Sequence, residues 1–180
     1  MDKYNNEKVM HVDTSSKLYE KNNTGIAYKV IKTNFHKGLG LSSKLKKELK
    51  RDLYIQYDYA RLYAICIYYL IKDDYDLFET LIICGDEDFN SVRDYLELLF
   101  SDNKEYFKKE IISLFRLREI TGKKGLKSYA HNIANSYRRR ILKNIQRQQK
   151  GIPLNPILIN YRLIKDKWEE IDNKMKVSGE

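Results

Sequence analysis

An apolar run at residues 81–84 is followed at once by Gly85 and three acidic residues. A short apolar run that ends at glycine predicts a strand buried on both faces of a sheet. A helix is predicted directly after it, because apolar residues recur at helical spacing: Phe89, Val92, Leu96 and Leu99. Asp86 therefore falls at the carboxyl end of a central strand, where open α/β sheets bind their ligands. Its carboxylate is either the N-cap of the next helix or part of a metal site.

The rest of the chain alternates between strand and helix signals. Further strands are predicted at 9–12, 25–31, 35–41 and 111–117, the first two of them as an antiparallel pair. Helices are predicted at 44–51, 56–71, 128–145 and 161–175. Three leading strands followed by alternating helices and strands predict an α/β fold, in which a mixed five-stranded sheet is covered by helices on both faces.

The length of 180 residues fits one domain with a short appendage. We assign residues 1–8 to a flexible N-terminus and residues 9–150 to the α/β domain. Residues 151–180 form a C-terminal helical extension, which is set apart by the break between Gly151 and Pro156.

The net charge of +9 is concentrated in the second half of the chain. Residues 1–103 carry 15 basic and 17 acidic side chains, whereas residues 104–180 carry 19 basic and 8 acidic ones. Between Thr121 and Lys150 there are nine lysines and arginines and no acid. A one-sign surface of this kind favours a polyanionic partner, above all nucleic acid, over a basic face without a partner.

The two cysteines, Cys66 and Cys84, both fall in apolar runs and show no metal-ligand spacing. We expect them to be buried free thiols of a cytoplasmic protein. No apolar run reaches membrane-spanning length and the N-terminus is polar, so neither a membrane partner nor an export signal is expected.

Three acids fall at comparable places in the predicted elements. Asp13 ends or interrupts the first strand, Asp58 opens the first long helix, and Asp86 ends the fourth strand. Each has an ordinary alternative role, as a turn residue or a helix cap. If the first and fourth strands are neighbours, however, the three carboxylates meet at one edge of the sheet. Converging carboxylates repel unless cations bind them, and oxygen ligands suit Mg²⁺ or Mn²⁺.

Four motifs, the first of them a hairpin made of two segments, resemble the ribonuclease H-like superfamily. Residues 12–16 (VDTSS) and 24–28 (TGIAY) are similar to its first hairpin, and residues 58–64 (DYARLYA) to the opening of its first helix. Residues 86–92 (DEDFNSV) stand where the family has a strand-ending Asp. Residues 130–135 (AHNIAN) resemble its last helix, and His131 takes the place of the family's fourth acid. The resemblance covers residues 9–143 and is closest to the type 1 ribonucleases H.

The sequence departs from this pattern at several positions. The family usually has Glu where this chain has Asp58, and the Thr-Asn-Asn that commonly precedes it is absent. Lys123 and Lys124 stand in the loop where the family often has His. His131 in place of Asp leaves one fewer negative charge, which favours Mn²⁺ or weaker binding of a second ion.

The resemblance implies a metal-dependent endoribonuclease that cleaves the RNA strand of an RNA/DNA hybrid through two Mg²⁺ or Mn²⁺ ions. It also implies that Asp13, Asp58, Asp86 and His131 form the catalytic, metal-binding set. Six basic residues are the predicted contacts to nucleic acid: Lys123, Lys124, Lys127, Arg138, Arg139 and Lys143. Two alternatives stay open, because one fold hosts many nucleases. They are a structure-specific DNA nuclease that resolves junctions and a nucleic-acid-binding module without chemistry.

Overall fold

The computed structural model describes residues 3–85, 87–142 and 154–178. The strands are β1 (Val9–Ser15), β2 (Thr24–Val30), β3 (His36–Leu41), β4 (Thr80–Ile83) and β5 (Glu110–Ser113). The helices are α1 (Ser43–Asp52), α2 (Tyr59–Ile71), α3 (Phe89–Leu99), α4 (Leu114–Thr121), α5 (His131–Leu142) and α6 (Tyr161–Ser178). Short 3₁₀ turns precede α2, β4 and β5.

The five strands form one mixed sheet in the order β3-β2-β1-β4-β5. The first three strands are antiparallel neighbours, with Asp13 opposite Ala27. β4 lies parallel to β1, with Val12 beside Ile83, and β5 lies parallel to β4. The predicted α/β class and mixed five-stranded sheet are therefore confirmed, and the first and fourth strands, whose adjacency the sequence left open, are neighbours.

One face of the sheet is covered by α2, which packs against α3 and α6. Ten of its thirteen residues are buried, so the helix is enclosed on nearly every side. Met10 and Val12 of β1 point into the same cluster as Leu62 and Ile65 of α2. This cluster is the main core, and both cysteines are buried and unbridged, as predicted.

The C-terminal helix α6 packs into the same core. Its buried residues Ile164, Trp168 and Ile171 belong to the main cluster. Arg61 of α2 is also buried, and its guanidinium lies 4.2 Å from the centre of the Trp168 ring and 2.8 Å from Asp172. A buried cation needs such partners, so this contact fixes the orientation of α6 against α2.

The other face is covered by α5, which lies very close to β2 and β3. A Cβ atom at Gly25 would stand 2.0 Å from the carbonyl oxygen of Ala134, and one at Gly38 would overlap the Tyr137 ring. Glycine is required where a helix approaches a strand this closely. Helices thus cover both faces, as predicted, and the two glycines set the height of α5 above the sheet.

Several predicted boundaries differ from the observed ones; β1, for example, was expected to end or break at Asp13 but runs through it to Ser15. The strand expected at 111–117 ends at Ser113, and α4 begins at the next residue. Ser113 is the N-cap of α4, because its hydroxyl accepts a hydrogen bond from the Arg116 amide. Leu117 of the same helix is buried in a second hydrophobic cluster. The helix expected from residue 128 begins at His131. Beyond residue 142 its predicted course lies outside the described residues.

The cap of α3 is Asp88, whose side chain accepts a hydrogen bond from the Ser91 amide.

At the outer edge of the sheet, Pro156 forms a β-bridge with Gly38 of β3, and the Ile157 amide donates to the Gly38 carbonyl. In the part of the chain that the structure describes, no helix has the length and apolar character needed to cross a membrane.

Candidate active site

A cleft of about 930 Å³ opens at the carboxyl ends of β1, β4 and β5. Its lining includes Asp13 from β1, Cys84 and Gly85 after β4, and Ser113 at the end of β5. His131, the first residue of α5, closes one side. This is the edge at which open α/β sheets place their ligands.

Asp13 and His131 lie together in this cleft. The Asp13 side chain is 12% exposed, and His131 Nδ1 lies 3.3 Å from its Oδ2 atom. The other oxygen, Oδ1, accepts a hydrogen bond of 2.7 Å from the Thr14 amide. Burial raises the pKa of the Asp13 carboxyl, while the bonds from Thr14, His131 and Ser128 act in the opposite direction. The site thus holds a shielded carboxylate beside an exposed imidazole.

A carboxylate oxygen and an imidazole nitrogen at this separation are donor types that Mn²⁺ accepts, and the carboxylate also suits Mg²⁺. The pair could therefore supply two ligands to one divalent ion, and the remaining ligands would have to be water or substrate oxygens. Within the described residues, no group of three or more acidic, histidine or cysteine side chains converges on one point.

Asp58 stands apart from this pair. It is the N-cap of α2, where its carboxylate accepts hydrogen bonds from the Arg61 amide and the Tyr95 hydroxyl. It is not among the described residues that line the cleft. The capping alternative that the sequence left open for Asp58 is therefore the role seen in the structure, and its predicted part in metal binding stays a prediction.

Asp86 lies outside the described residues, but its neighbours Gly85 and Glu87 both line the cleft. Tyr63 of α2 reaches the end of β4, where its hydroxyl donates a hydrogen bond to the Cys84 carbonyl. Tyr63 also packs against Gly85, which has a φ of +148° and leaves only 3.1 Å between the ring and an added Cβ. Nothing in the sequence pattern connects Tyr63 with the end of β4.

The predicted basic contacts divide between two environments. Lys127 and Arg138 line the cleft, whereas Lys123, Lys124 and Arg139 lie elsewhere on the exposed surface. Lys143 is outside the described residues.

Two further basic residues, Lys17 and Arg118, line the cleft and were not predicted. The place of Arg118 in the cleft was not predicted, because the residues just before it, 111–117, were expected to form a strand and not the start of a helix. As part of helix α4, it is carried to the cleft beside the end of β5. Its Nε atom donates to the Leu126 carbonyl at 2.8 Å, and so it also holds the loop that carries Lys127. Among the described residues, the cleft thus contains four cationic side chains and three acids, Asp13, Glu20 and Glu87, and its cations suit the phosphates of a nucleic acid.

No protein-family model, curated protein or solved structure matches the chain. The fold class and the geometry of the cleft are therefore the observations on which a function can be based.

Proposed function

We propose that the chain is a divalent-metal-dependent nuclease with a ribonuclease H-like fold. The observation that carries the proposal is the Asp13–His131 pair at the carboxyl edge of the sheet, within a cleft that four basic side chains line. Acidic and imidazole side chains can hold a metal ion, and neighbouring cationic groups can bind a phosphate diester next to that ion.

The positions of the four resembling motifs support the fold part of the proposal. They fall on β1 and β2, at the start of α2, after β4 and at the start of α5, in the order that the resemblance implies. Because β1 and β4 are parallel neighbours, the segments on these strands end at the same edge. His131 reaches that edge from the opposite face, since α5 lies over β1, β2 and β3.

In the proposed mechanism, Asp13 and His131 would hold a divalent ion at the carboxyl edge of the sheet. A divalent ion in such a site lowers the pKa of bound water and stabilises negative charge on the phosphate. Lys127, Arg118 and Arg138 hold the phosphates that flank the cleaved bond, and the burial of Asp13 keeps bulk water from competing for its carboxylate. A second ion would require a further ligand, for which Asp86 is the proposed residue.

The proposed substrate is the RNA strand of an RNA/DNA hybrid. This choice follows from the resemblance of residues 12–16, 58–64 and 130–135 to the type 1 ribonucleases H. Recognition of RNA would require contacts to 2′-hydroxyl groups across a minor groove. The cationic side chains of the cleft bind phosphates of either polymer, so they support a nucleic-acid substrate without selecting RNA.

A cleavage assay with Mg²⁺ and with Mn²⁺ tests the proposal. The substrates are an RNA/DNA hybrid, double-stranded RNA, duplex DNA and a four-way DNA junction. We expect cleavage of the hybrid, in the RNA strand, to be the fastest reaction. Preference for the junction would replace the hybrid assignment with that of a structure-specific DNA nuclease. If the protein binds these nucleic acids but cleaves none of them with Mg²⁺ or with Mn²⁺, it is a binding module without catalytic activity.

A further inference from the structure

Phe115 is an exposed aromatic residue in the wall of the cleft. It lies in the first turn of α4, and 69% of its surface is accessible. Among the exposed large hydrophobic side chains of the described residues, it is the one that lines this cleft. Single exposed apolar side chains are common on protein surfaces, so the position of Phe115 in the cleft, and not its exposure alone, is the informative observation.

The surroundings of Phe115 are cationic. Arg118 follows three residues later, which places both side chains on the same face of α4, and both line the cleft. Lys127 lines it as well, from the loop that Arg118 holds through its hydrogen bond to the Leu126 carbonyl. Arg116, which points elsewhere, forms an ion pair of 2.9 Å with Glu119. The ring therefore shares the cleft with two cations that could bind phosphates.

We infer that Phe115 stacks on an unpaired base of the nucleic acid bound in the cleft. An aromatic ring beside phosphate-binding cations is the arrangement that binds single-stranded nucleotides, because every base presents a flat face. Inside a continuous duplex both faces of a base are covered by its neighbours, so a ring at the cleft wall gains nothing there. The substrate class is therefore a duplex with an unpaired nucleotide next to the bound phosphate. The inference rests on the proposed function for the identity of the polymer.

The inference is tested by binding measurements without divalent ions, so that no cleavage occurs. The labelled ligands are a blunt RNA/DNA hybrid and the same hybrid with a single-stranded extension, followed by fluorescence anisotropy. Phe115→Ala should weaken binding of the extended hybrid by about 5-fold to 150-fold, the equivalent of the ~1–3 kcal/mol of one stacked base. Binding of the blunt hybrid should be unchanged. Phe35→Ala is the matched control, since Phe35 is 59% exposed away from the cleft.

A second variant supplies a direct readout of stacking. Phe115→Trp should retain the preference for the extended hybrid, and its tryptophan emission should be quenched when that ligand binds. Phe35→Trp should show no such quenching, and the native Trp168 is 8% exposed and gives a common background. Equal affinities of the parent and Phe115→Ala for the extended hybrid would overturn the inference. A protein that shows the stacking but cleaves nothing would instead overturn the proposed nuclease.

Discussion

His131 Nδ1 lies 3.3 Å from Asp13 Oδ2 and thereby joins the first residue of α5 to the central strand β1. The contact depends on how closely α5 approaches the sheet, which Gly25 and Gly38 permit. Packing and chemistry are therefore linked in this domain, because a displacement of α5 would separate the two groups that are proposed to hold the metal ion.

Asp13→Asn should abolish metal-dependent cleavage and leave the fold intact. Burial raises the pKa of the Asp13 carboxyl, so its ionised form is destabilised in the folded protein. Any stability linked to its protonation is present at low pH and is lost as pH rises through the raised pKa. At neutral pH the metal-free Asn variant should therefore unfold at the same urea concentration as the parent, or at a slightly higher one.

Cleavage rates and urea midpoints of the parent and Asp13→Asn check this prediction. Asp102→Asn is the control, because Asp102 is exposed and lies just beyond α3. It should change neither quantity. An Asp13→Asn protein that cleaves at the parent rate would show that the metal site lies elsewhere.

Lys127→Ala should weaken binding of every nucleic acid tested, whereas Lys124→Ala should have little effect. Both lysines are exposed and near each other in sequence, but Lys127 lines the cleft. Loss of one phosphate contact should reduce the slope of log affinity against log salt by about 0.7 to 0.9. Titrations at several salt concentrations measure the slope. A larger change for Lys124→Ala would move the nucleic-acid surface out of the cleft.

The sequence was sufficient to predict the sheet and the position of its carboxyl edge. Two patterns indicate strands with few alternatives: the short apolar run at 81–84 and the alternating apolar residues at 25–31. The structure has a strand at each of these places. The pairing of Asp13 with His131 was implied by the family resemblance alone, since the predicted helix began at residue 128 and His131 lay inside it, whereas α5 begins at His131.

The sequence did not predict which way individual side chains turn. A carboxylate at the start of a helix has the same residue type and spacing whether it caps the helix or binds a metal ion, and Asp58 is bound by the Arg61 amide and Tyr95. Residues 111–117 contain alternating apolar residues, but Leu114 and Leu117 also have helical spacing. The Ser113 cap decides between the two, and it brings Phe115 and Arg118 to the cleft.

Gly25→Ala should destabilise the protein by about 1–3 kcal/mol, the usual cost of overpacking a close contact. The added methyl group would lie 2.0 Å from the Ala134 carbonyl oxygen and 2.6 Å from the Arg138 amide nitrogen, so α5 must move away. Gly125→Ala is the control, because among the described residues no atom lies within 4 Å of its added Cβ. Urea unfolding of both variants measures the difference. An unchanged stability of Gly25→Ala would mean that α5 is not held against β2.

Lys46 should make the protein more stable as pH rises above 8. Lys46 is 2% exposed, and its ammonium donates to the Glu20 carbonyl at 2.7 Å and to the Thr24 hydroxyl at 2.8 Å. Burial, together with the charge of Lys50, lowers the pKa of Lys46 to about 8. Between that pH and the ordinary lysine value of about 10.4, the unfolded chain binds more protons than the folded one, so the free energy of unfolding rises with pH.

The full gain linked to Lys46 is on the order of 3 kcal/mol. Urea unfolding between about pH 7.5 and 9.5 should show the rise in the parent and a much smaller one in Lys46→Met. Lys47→Met is the control, since Lys47 is exposed on the same helix. If Lys46→Met and the parent rise equally, then Lys46 keeps its ordinary proton affinity in the folded state.

His131→Asp should shift the metal preference from Mn²⁺ towards Mg²⁺. A neutral imidazole binds Mg²⁺ less strongly than a carboxylate does, whereas Mn²⁺ accepts nitrogen more readily. The substitution places a second carboxylate beside Asp13, which lies 3.3 Å from the present imidazole. His131→Ala should lower the rate with both metals and leave hybrid affinity nearly intact, because the main contacts to nucleic acid are made by basic side chains to phosphates.

The decisive measurement is the ratio of the cleavage rates in Mn²⁺ and Mg²⁺ for the parent and for His131→Asp. Asn132→Asp adds the same charge at the neighbouring exposed residue of α5 and is the matched control. We expect the ratio to fall in His131→Asp and to keep the parent value in Asn132→Asp. If both variants have the parent ratio, His131 does not touch the metal ion, and the nitrogen ligand must be removed from the proposed site.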